Sequence, residues 1–498
     1  MTIDKTFEQT TGEINPTPAE ETFQWMKQWY PVAVVEFLDP FRPHSMQLLG
    51  KDIVLWRDLQ GKWSCFEDAC PHRLVPLSEG RIESDGTLLC AYHAWRFNSE
   101  GKCVSIPQSF DKETEKKHCA SSRSCATVYP TQVRQGLLWV WGESGTNALK
   151  ESKLREPSLV PELEDSSGRV LIPFKNFKDA SYGWDFFIEN ACDPAHVPVS
   201  HHGISGSRYK DAKYYDLKTA RKISTTDGFA FEMVPVANGA EQILIDFQPP
   251  SLVQITSNFE KEGKSIFVLY ASPTRPGWCR FFAYQILVKN LEGKMPAGFA
   301  FFALPLPLWI SHLLATLFVH QDLVLLHYQE KNLAKKGIDK LLNLFYTPNP
   351  QDKMVITFRQ WFDKRAGGEI PWDENCERQL PTPERDKQKL FDVWNTHTKN
   401  CHVCQKALKN INRASLAAYL VSIICLSWGI IIDARYTAIK ATQLSLAPEM
   451  FSSYLTWVPP LSFWLAAIGA VLFALTGYFL KKLTRLFYVY TFEHFHND

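Results

Sequence analysis

Five short segments between residues 229 and 288 alternate apolar and polar positions, and glycine or proline separates most of them. They are Phe229–Val236, Gln242–Phe247, Leu252–Phe259, Ser265–Ala271 and Trp278–Val288. A period of two is typical of strands that turn one face to a core, and the turn residues between them favour an antiparallel meander. We expect helices over Ser181–His196 and after Asp322 to pack on this sheet and to leave a cavity between helix and sheet.

Two long apolar runs, Ala414–Ile432 and Leu461–Leu480, lie near the C-terminal end. Each is close to the length of about 20 residues that crosses a bilayer, so together they predict a transmembrane hairpin. Basic residues flank the pair on the outside: Lys406, Lys409, Arg413, Lys481, Lys482 and Arg485. By the positive-inside rule these flanks and the large soluble part lie on the cytoplasmic side or its organellar equivalent. Two buried core helices are the alternative interpretation.

A third apolar run, Ala297–Val319, is interrupted by Pro305 and Pro307 and contains His312. Because proline breaks a regular span, we expect a last sheet strand followed by a buried or membrane-dipping helix.

Length and composition allow two or three domains with real cores, since the chain has 498 residues and is 45% apolar and 13% aromatic. A net charge of +1 argues against nucleic acid as a partner. Twelve cysteines in so long a chain do not form a disulfide framework, so a reducing compartment fits best. Residues 1–23 are polar and lack a signal or transit pattern, which predicts a disordered tail.

Two segments combine cysteine and histidine in a C-x-H and C-x-x-H pattern, Cys70-Pro71-His72 and Cys90-Ala91-Tyr92-His93. Two thiolates on one iron and two imidazoles on the other are the ligands of a Rieske [2Fe–2S] centre, which passes single electrons. Strand-like runs precede both segments, so we expect both ligand pairs at hairpin tips that clamp one cluster. The alternative is two chance pairs, one of them a zinc half-site.

A second candidate metal motif begins at Asn190 and contains Asp193, His196 and His201. Two histidines five residues apart suit a non-haem iron that takes two imidazoles, one carboxylate and open positions for O₂ and substrate. We expect a kinked helical turn here because Pro194 and Pro198 exclude a long helix, with Asn190, Asp193 and His196 on one face.

The second Cys/His loop resembles the Rieske domains of ring-hydroxylating oxygenases, whose pattern is C-x-Y-H-G-W-x-F; Ala94 stands here in place of that glycine. The segment N-x-x-D-P-x-H-x-x-x-x-H resembles their mononuclear iron motif. That resemblance implies a helix-grip catalytic domain, trimers, and iron ligands His196 and His201, with His202 as a competing candidate.

By the same resemblance, Asn190 and Asp193 are catalytic, and Asp193 bridges electrons from the Rieske histidine of a neighbouring subunit. The third ligand is expected on a late helix, where Asp322 is the choice and Glu330 the alternative.

The chain continues past these motifs to Cys401 and Cys404 and then to the apolar hairpin. With the run from Cys70 to Arg81, this order resembles the pheophorbide a oxygenase group, which includes the Rieske component of the chloroplast inner envelope. The resemblance implies a tetrapyrrole substrate, ferredoxin as the electron donor, and a cyanobacterial thylakoid or plasma membrane, or a chloroplast membrane.

The C-x-x-C pair of Cys401 and Cys404 is interpreted as a redox switch. Half a zinc site is an alternative, but the sequence offers no evident second half, since His397 and His402 lie too close along the chain; two unpaired cysteines are the other alternative.

The predicted fold is α+β, with an N-terminal all-β Rieske domain, a helix-grip antiparallel-sheet domain and a C-terminal two-helix transmembrane hairpin. Its parts are the tail 1–23, the Rieske domain 24–145, the catalytic domain 146–375, a linker 376–413, the hairpin 414–482 and a tail 483–498. The predicted function is a membrane-anchored Rieske oxygenase with a [2Fe–2S] cluster and mononuclear Fe(II), acting on a tetrapyrrole. A non-catalytic redox or translocon component with a thiol switch is the alternative.

Overall fold

The fold was examined in a computed structural model that describes residues 22–234, 240–259, 261–296, 306–337, 341–446 and 459–494. Most of the predicted N-terminal tail therefore lies outside the described residues. Phe23, which we assigned to that tail, is buried, and its backbone N–H donates to the Arg365 carbonyl at 2.8 Å.

The N-terminal third consists of three small antiparallel sheets. The first has the order β1-β11-β10, the second β2-β3-β4-β9 and the third β5-β6-β7-β8. Their strands are β1 (Trp29–Val34), β2 (His44–Leu48), β3 (Lys51–Arg57), β4 (Trp63–Glu67), β5 (Arg81–Ile82), β6 (Leu88–Leu89), β7 (Arg96–Phe97), β8 (Cys103–Ser105), β9 (Val128–Tyr129), β10 (Thr131–Arg134) and β11 (Leu137–Trp141). Two short helices accompany them, α1 (Lys112–Cys119) and α2 (Thr146–Glu151). The all-β character expected of this part is confirmed.

The middle of the chain forms a seven-stranded antiparallel sheet of order β12-β18-β17-β16-β15-β14-β13. Its strands are β12 (Val170–Ala180), β13 (Asp216–Ser224), β14 (Gly228–Val234), β15 (Gln242–Gln248), β16 (Leu252–Phe259), β17 (Gly263–Arg275) and β18 (Trp278–Val288). The predicted five-strand meander is confirmed as β14 to β18, although residues 235 and 236 of its first strand lie outside the described residues. The outer strands β12 and β13 were missed because their apolar positions do not alternate regularly.

Six α-helices lie between β12 and residue 390 of the described chain, and α3, α5 and α7 among them contact the sheet. They are α3 (Trp184–Ala191), α4 (Val197–Ser200), α5 (Leu308–Lys336), α6 (Leu341–Leu344), α7 (Lys353–Arg365) and α8 (Lys387–Leu390). Both α3 and α5 pack on the sheet, as predicted. The helix predicted over Ser181–His196 is shorter than expected: α3 ends at Ala191, before Pro194, and α4 begins at Val197. The third apolar run is described only from Leu306, and it continues as the 29-residue helix α5.

Two long helices complete the described chain, α9 (His402–Leu446) and α10 (Leu461–Thr484), and they contain the two predicted apolar runs. They pack against each other, with the Ser415 and Ser422 hydroxyls donating to the Gly477 and Ala470 carbonyls at 2.8 and 2.7 Å. Among the described residues, three helices are long and apolar enough to cross a membrane: these two and α5. The window in α5 is 44% buried inside the protein, against 17% and 11% in α9 and α10. The windows in α9 and α10 therefore leave a larger share of their residues outside the protein interior than the window in α5 does.

Candidate functional site

The first candidate site lies on two loops with the same backbone conformation. In each, the cysteine N–H donates to the carbonyl five residues on, and the cysteine carbonyl accepts from the N–H four residues on. In the first loop, the Cys70 N–H donates to the Val75 carbonyl at 2.9 Å and the Leu74 N–H donates to the Cys70 carbonyl at 2.8 Å. In the second loop, the Cys90 N–H donates to the Trp95 carbonyl at 2.9 Å and the Ala94 N–H donates to the Cys90 carbonyl at 3.0 Å. Leu74 and Ala94 both have a φ of 58°. Ala94 thus keeps the left-handed conformation that glycine supplies in the resembling pattern.

Only one of these loops is a hairpin tip. The loop of Cys90 and His93 connects the paired strands β6 and β7. The loop of Cys70 and His72 instead connects β4 to β5, and these two strands belong to different sheets. The prediction of two hairpin tips is therefore wrong for this pair. At Gly80, just before β5 pairs with β6, the chain passes Leu89 so closely that an added Cβ would lie 2.0 Å from the Leu89 carbonyl oxygen.

The four side chains of this site divide by type. Cys70 and Cys90 are each 1% exposed and share an apolar cluster, whereas His72 and His93 lie nearer the surface. The two imidazole rings are 4.5 Å apart between centroids. Burial and the hydrogen bond with Cys90 raise the pKa of Cys70 to about 12. Among the described residues, His72 Nδ1 is a buried atom with no hydrogen-bond partner. Paired buried thiols and an unpartnered ring nitrogen fit a [2Fe–2S] cluster with thiolates inside and imidazoles outside.

The second candidate site brings together His196, His201 and Asp322, whose ligand atoms all lie within 4.8 Å of one another. Asp322 Oδ2 is 3.0 Å from His201 Nε2 and 3.6 Å from His196 Nε2. Asp322 comes from α5, and His196 and His201 stand just before and just after α4. The carboxylate is 126 residues from the first histidine in sequence, and only the packing of α5 beside α4 brings it there.

Each histidine is oriented by a bond on its other ring nitrogen. His201 Nδ1–H donates to Gln321 Oε1 at 3.0 Å, and His196 Nδ1–H donates to the Asp193 carbonyl. Both rings therefore turn Nε2 toward Asp322, so that a metal held there would meet the Nε2 lone pairs, the arrangement that holds metal-binding histidines in one tautomer. Burial lowers the pKa of His196, but the Asp193 and Asp322 carboxylates outweigh it and raise that pKa to about 10. The site thus favours a positive charge at its centre, and two imidazoles with one carboxylate fit a facial iron site.

The alternative ligands are engaged elsewhere. Glu330 is buried against Lys331 at 2.7 Å and accepts the Gly183 N–H at 2.9 Å. His202 Nδ1 accepts the Arg208 N–H at 3.1 Å, away from the three-ligand group.

Asn190 and Asp193 both lie beside His196. The Asn190 amide nitrogen is 3.4 Å from His196 Nε2, and Asp193 Oδ2 is 3.7 Å from His196 Nδ1. The predicted proximity of these residues holds, although Asp193 and His196 reach it through a turn after α3 and not along one helix face.

Two further residues contact His201 and were missed from the sequence. Gln321 holds its Nδ1, and the Phe318 ring stacks on its imidazole at 3.7 Å between centroids. Phe318 and Asp322 are four apart on α5, so they share one face. With Asp322 as a ligand, the spacing of four residues on a helix is the sequence signal that could have indicated Phe318 as a neighbour of the site.

Cys401 and Cys404 are buried at the N-terminal end of α9, together with His312 and His397. The expectation that these cysteines have no second half-site, with His397 too close along the chain to contribute, is wrong. The ligand atoms of His397 and of His312, which comes from α5, lie within 4.8 Å of both cysteine sulfurs.

Comparisons with known proteins agree with this arrangement. A family model described as a Rieske [2Fe-2S] domain matches residues 28–115, and one described as pheophorbide a oxygenase matches residues 247–340. The crystal structure of dicamba monooxygenase bound to dicamba shares the fold, with a TM-score of 0.52 at 18% identity, over 69% of this chain and 98% of that one. The chain is a Rieske-type oxygenase, an oxidoreductase whose cofactors are a Rieske [2Fe–2S] cluster and a non-haem iron.

Two relatives place it within that class. Flavonoid 8-hydroxylase 2 of Ocimum basilicum is 33% identical over 475 residues, which cover 89% of this chain and 86% of the relative. Pheophorbide a oxygenase of Oryza sativa subsp. japonica is 30% identical over 473 residues, covering 90% and 86%. The chain belongs to the pheophorbide a oxygenase family of Rieske oxygenases.

Proposed function

We propose that this protein is a membrane-anchored oxygenase that inserts oxygen into a hydrophobic tetrapyrrole, such as pheophorbide a or a related chlorophyll derivative. The observation that carries the proposal is the convergence of His196, His201 and Asp322 within 4.8 Å in a chain that also holds the paired Cys/His loops. Similarity to pheophorbide a oxygenase over 86% of that relative supports the substrate class.

Each residue has a specific role in this proposal. Cys70, His72, Cys90 and His93 hold the cluster, and His196, His201 and Asp322 hold the iron. When bound, these groups supply single electrons and a site for O₂ activation. Gln321 and the Asp193 carbonyl fix the tautomers of the two iron-site histidines, and Phe318 covers one of their rings.

Asp193 is proposed to connect the two sites between subunits of a homotrimer. Its Oδ2 faces His196 at 3.7 Å, and its side chain is 29% exposed, so its carboxylate is reachable from a neighbouring subunit. On the other side of the expected interface, His93 is partly exposed beside Tyr92 and Leu74, which are 59% and 75% exposed. Large apolar side chains exposed next to a redox site favour a protein contact there.

The membrane anchor is the pair α9 and α10, with the soluble part on the cytoplasmic or stromal side. Leu420, Ile424, Trp428 and Leu472 are each more than half exposed, which suits lipid contact better than water. The full-length protein should stay with membranes during alkaline extraction. Release into the soluble fraction without detergent would contradict the anchor.

The substrate is tested by incubating the full chain with reduced ferredoxin, ¹⁸O₂ and a panel of tetrapyrroles, and by recording product masses. Incorporation of ¹⁸O into one tetrapyrrole, abolished in Asp322→Ala with loss of the mononuclear iron, is the expected result. Flavonoid hydroxylation is the second candidate, favoured by the 33% identity to flavonoid 8-hydroxylase 2. A flavone is therefore incubated in parallel under the same conditions. Incorporation of ¹⁸O into the flavone, with none in any tetrapyrrole, would identify flavonoid hydroxylation as the activity.

The bridge is tested with Asp193→Ala. We expect the visible spectrum and the iron content of the native protein, with turnover reduced by orders of magnitude, because neither metal site uses this carboxylate as a ligand. Light scattering in detergent should report trimers. Near-native turnover in the variant would contradict the bridge.

A further inference from the structure

We propose that His312, His397, Cys401 and Cys404 form a structural zinc site, separate from both iron centres. All four residues are at most 3% exposed, and their ligand atoms lie within 4.8 Å of one another. They come from three places in the fold: α5, the turn before Thr398, and the start of α9. The proposal does not depend on the substrate or on the oxygenase reaction.

The spacing of the donor atoms matches a single tetrahedral ion. His312 Nδ1 is 3.2 Å from Cys404 Sγ, 3.7 Å from Cys401 Sγ and 3.2 Å from His397 Nε2, and His397 Nε2 is 3.3 Å from Cys404 Sγ. Zn–N bonds of about 2.0–2.1 Å and Zn–S bonds of about 2.3 Å at tetrahedral angles give edges of about 3.3–3.8 Å. Four of the six edges of the group range from 3.2 to 3.7 Å and the other two are at most 4.8 Å, so one ion could contact all four donors after a small inward movement.

The same donors do not suit a second [2Fe–2S] cluster. A cluster with two thiolates on one iron and two imidazoles on the other keeps nitrogen and sulfur donors apart. Here each imidazole nitrogen contacts a cysteine sulfur, which places all four donors on one metal. Two thiolates and two imidazoles in a tetrahedron select zinc among the common divalent ions.

The histidine protonation also fits. His397 Nδ1–H donates to the Phe177 carbonyl at 2.7 Å, which leaves the lone pair on Nε2, the atom facing the cysteines. Such a carbonyl contact is the usual support of a zinc-bound imidazole. On binding, each cysteine releases one proton and the histidines stay neutral, so Zn²⁺ with two thiolates carries no net charge. A neutral complex suits the apolar surroundings, where the Phe37 and Phe177 rings lie 4.7 Å from His312 and His397.

The position of the site suggests what it does. His312 stands ten residues before Asp322 on α5, about 15 Å along the helix axis, and Cys401 and Cys404 begin the helix that becomes the first apolar span. The ion would fasten the base of α9 to the helix that carries the third iron ligand. Beside this junction, the Thr398 hydroxyl connects the turn before α9 to the segment after α10 by donating to the Phe487 carbonyl at 2.8 Å.

The test measures metals in the purified full-length protein in detergent. We expect about one zinc per chain in addition to iron, and loss of the zinc with retention of iron in the double variant Cys401→Ser, Cys404→Ser. The matched controls are Cys376→Ser and Cys425→Ser, which remove thiols outside the group and should keep the zinc. Protein made in cobalt-supplemented, zinc-depleted medium should show the absorption bands of tetrahedral cobalt bound to thiolate, a measurement that needs no variant.

Three outcomes would overturn the proposal. The first is iron-loaded native protein with less than a tenth of an equivalent of zinc and no cobalt–thiolate bands. The second is a Cys401–Cys404 disulfide in the protein as isolated, found as two thiols that alkylate only after reduction. The third is zinc retained in the double variant, which would place the ion elsewhere.

Discussion

The protein contains two groups of two cysteines and two histidines that differ in how the donors are arranged. In the loop group, like donors pair, since the Cys70 and Cys90 thiols are buried in one apolar cluster and the His72 and His93 rings lie 4.5 Å apart nearer the surface. In the junction group of His312, His397, Cys401 and Cys404, each imidazole presents a nitrogen to a cysteine sulfur, and all four donors face one point. The same four donors therefore suit two different metals, and their arrangement in space decides which.

Exposure separates the groups as well. The loop group has partly exposed imidazoles next to exposed Tyr92, as a site that exchanges electrons with a partner requires. The junction group is wholly buried between helices, which excludes partners and suits a fastening role. Accessibility of the histidines therefore separates these two groups more clearly than residue type does.

If the two groups are independent, removing a ligand of one should leave the metal of the other in place. Cys90→Ser should abolish the [2Fe–2S] signal in electron paramagnetic resonance and reduce turnover to background, because a cluster iron loses its thiolate. Zinc content should stay unchanged. If Cys90→Ser also removes the zinc, the two groups are not independent.

A second change alters the loop group without removing it. His72→Cys would replace one imidazole by a thiolate, and the added negative charge should lower the reduction potential by about 250 mV or more, toward all-cysteine clusters. Redox titration of the purified variant measures the shift, and Tyr92→Phe is the control for a local change without ligand exchange. A potential equal to that of the native protein would place the ligand elsewhere.

The close approach of Gly80 to Leu89 can be tested by substitution. Gly80→Ala should destabilise the loop group by about 2 kcal/mol, because its Cβ would lie 2.0 Å from the Leu89 carbonyl and the two segments must separate. Gly429→Ala is the control, since its Cβ would meet Ala466 at an ordinary 3.5 Å. The rate of cluster loss in urea is the measurement, and equal rates in the two variants would refute the argument.

The smallest expected effect concerns the backbone of the second loop. Ala94→Val should cost about 1–2 kcal/mol, because a β-branched side chain is strained at the φ of 58°. The control is Ala91→Val, which should change stability by less than about 0.5 kcal/mol. Ala91 lies on the same loop and is exposed, so it can accept the larger side chain. Chemical denaturation followed at the cluster absorbance compares the two.

Much of the fold and of the sites followed from the sequence where the determining interactions are local. The spacing of Cys70, His72, Cys90 and His93 predicts the loop group because both loops are short segments with their own internal hydrogen bonds. Five strands of the large sheet were predicted from alternation, since each strand turns one face to the core. The histidine pair was found from its motif, and Asp322 from the resemblance to the family.

The tertiary structure alone decided what depends on distant segments. Gln321 meets His201 across 120 residues, and His312 meets Cys404 across 92. No periodicity or spacing encodes such pairs, because they form only when α5 packs between the sheet and the start of α9. From the sequence, His312 was only a polar interruption in an apolar run, and Cys401 and Cys404 were interpreted as a redox switch, with half a zinc site as an alternative. Packing of α5 made them one buried group, because side chains far apart along the chain become neighbours only when their elements share a core.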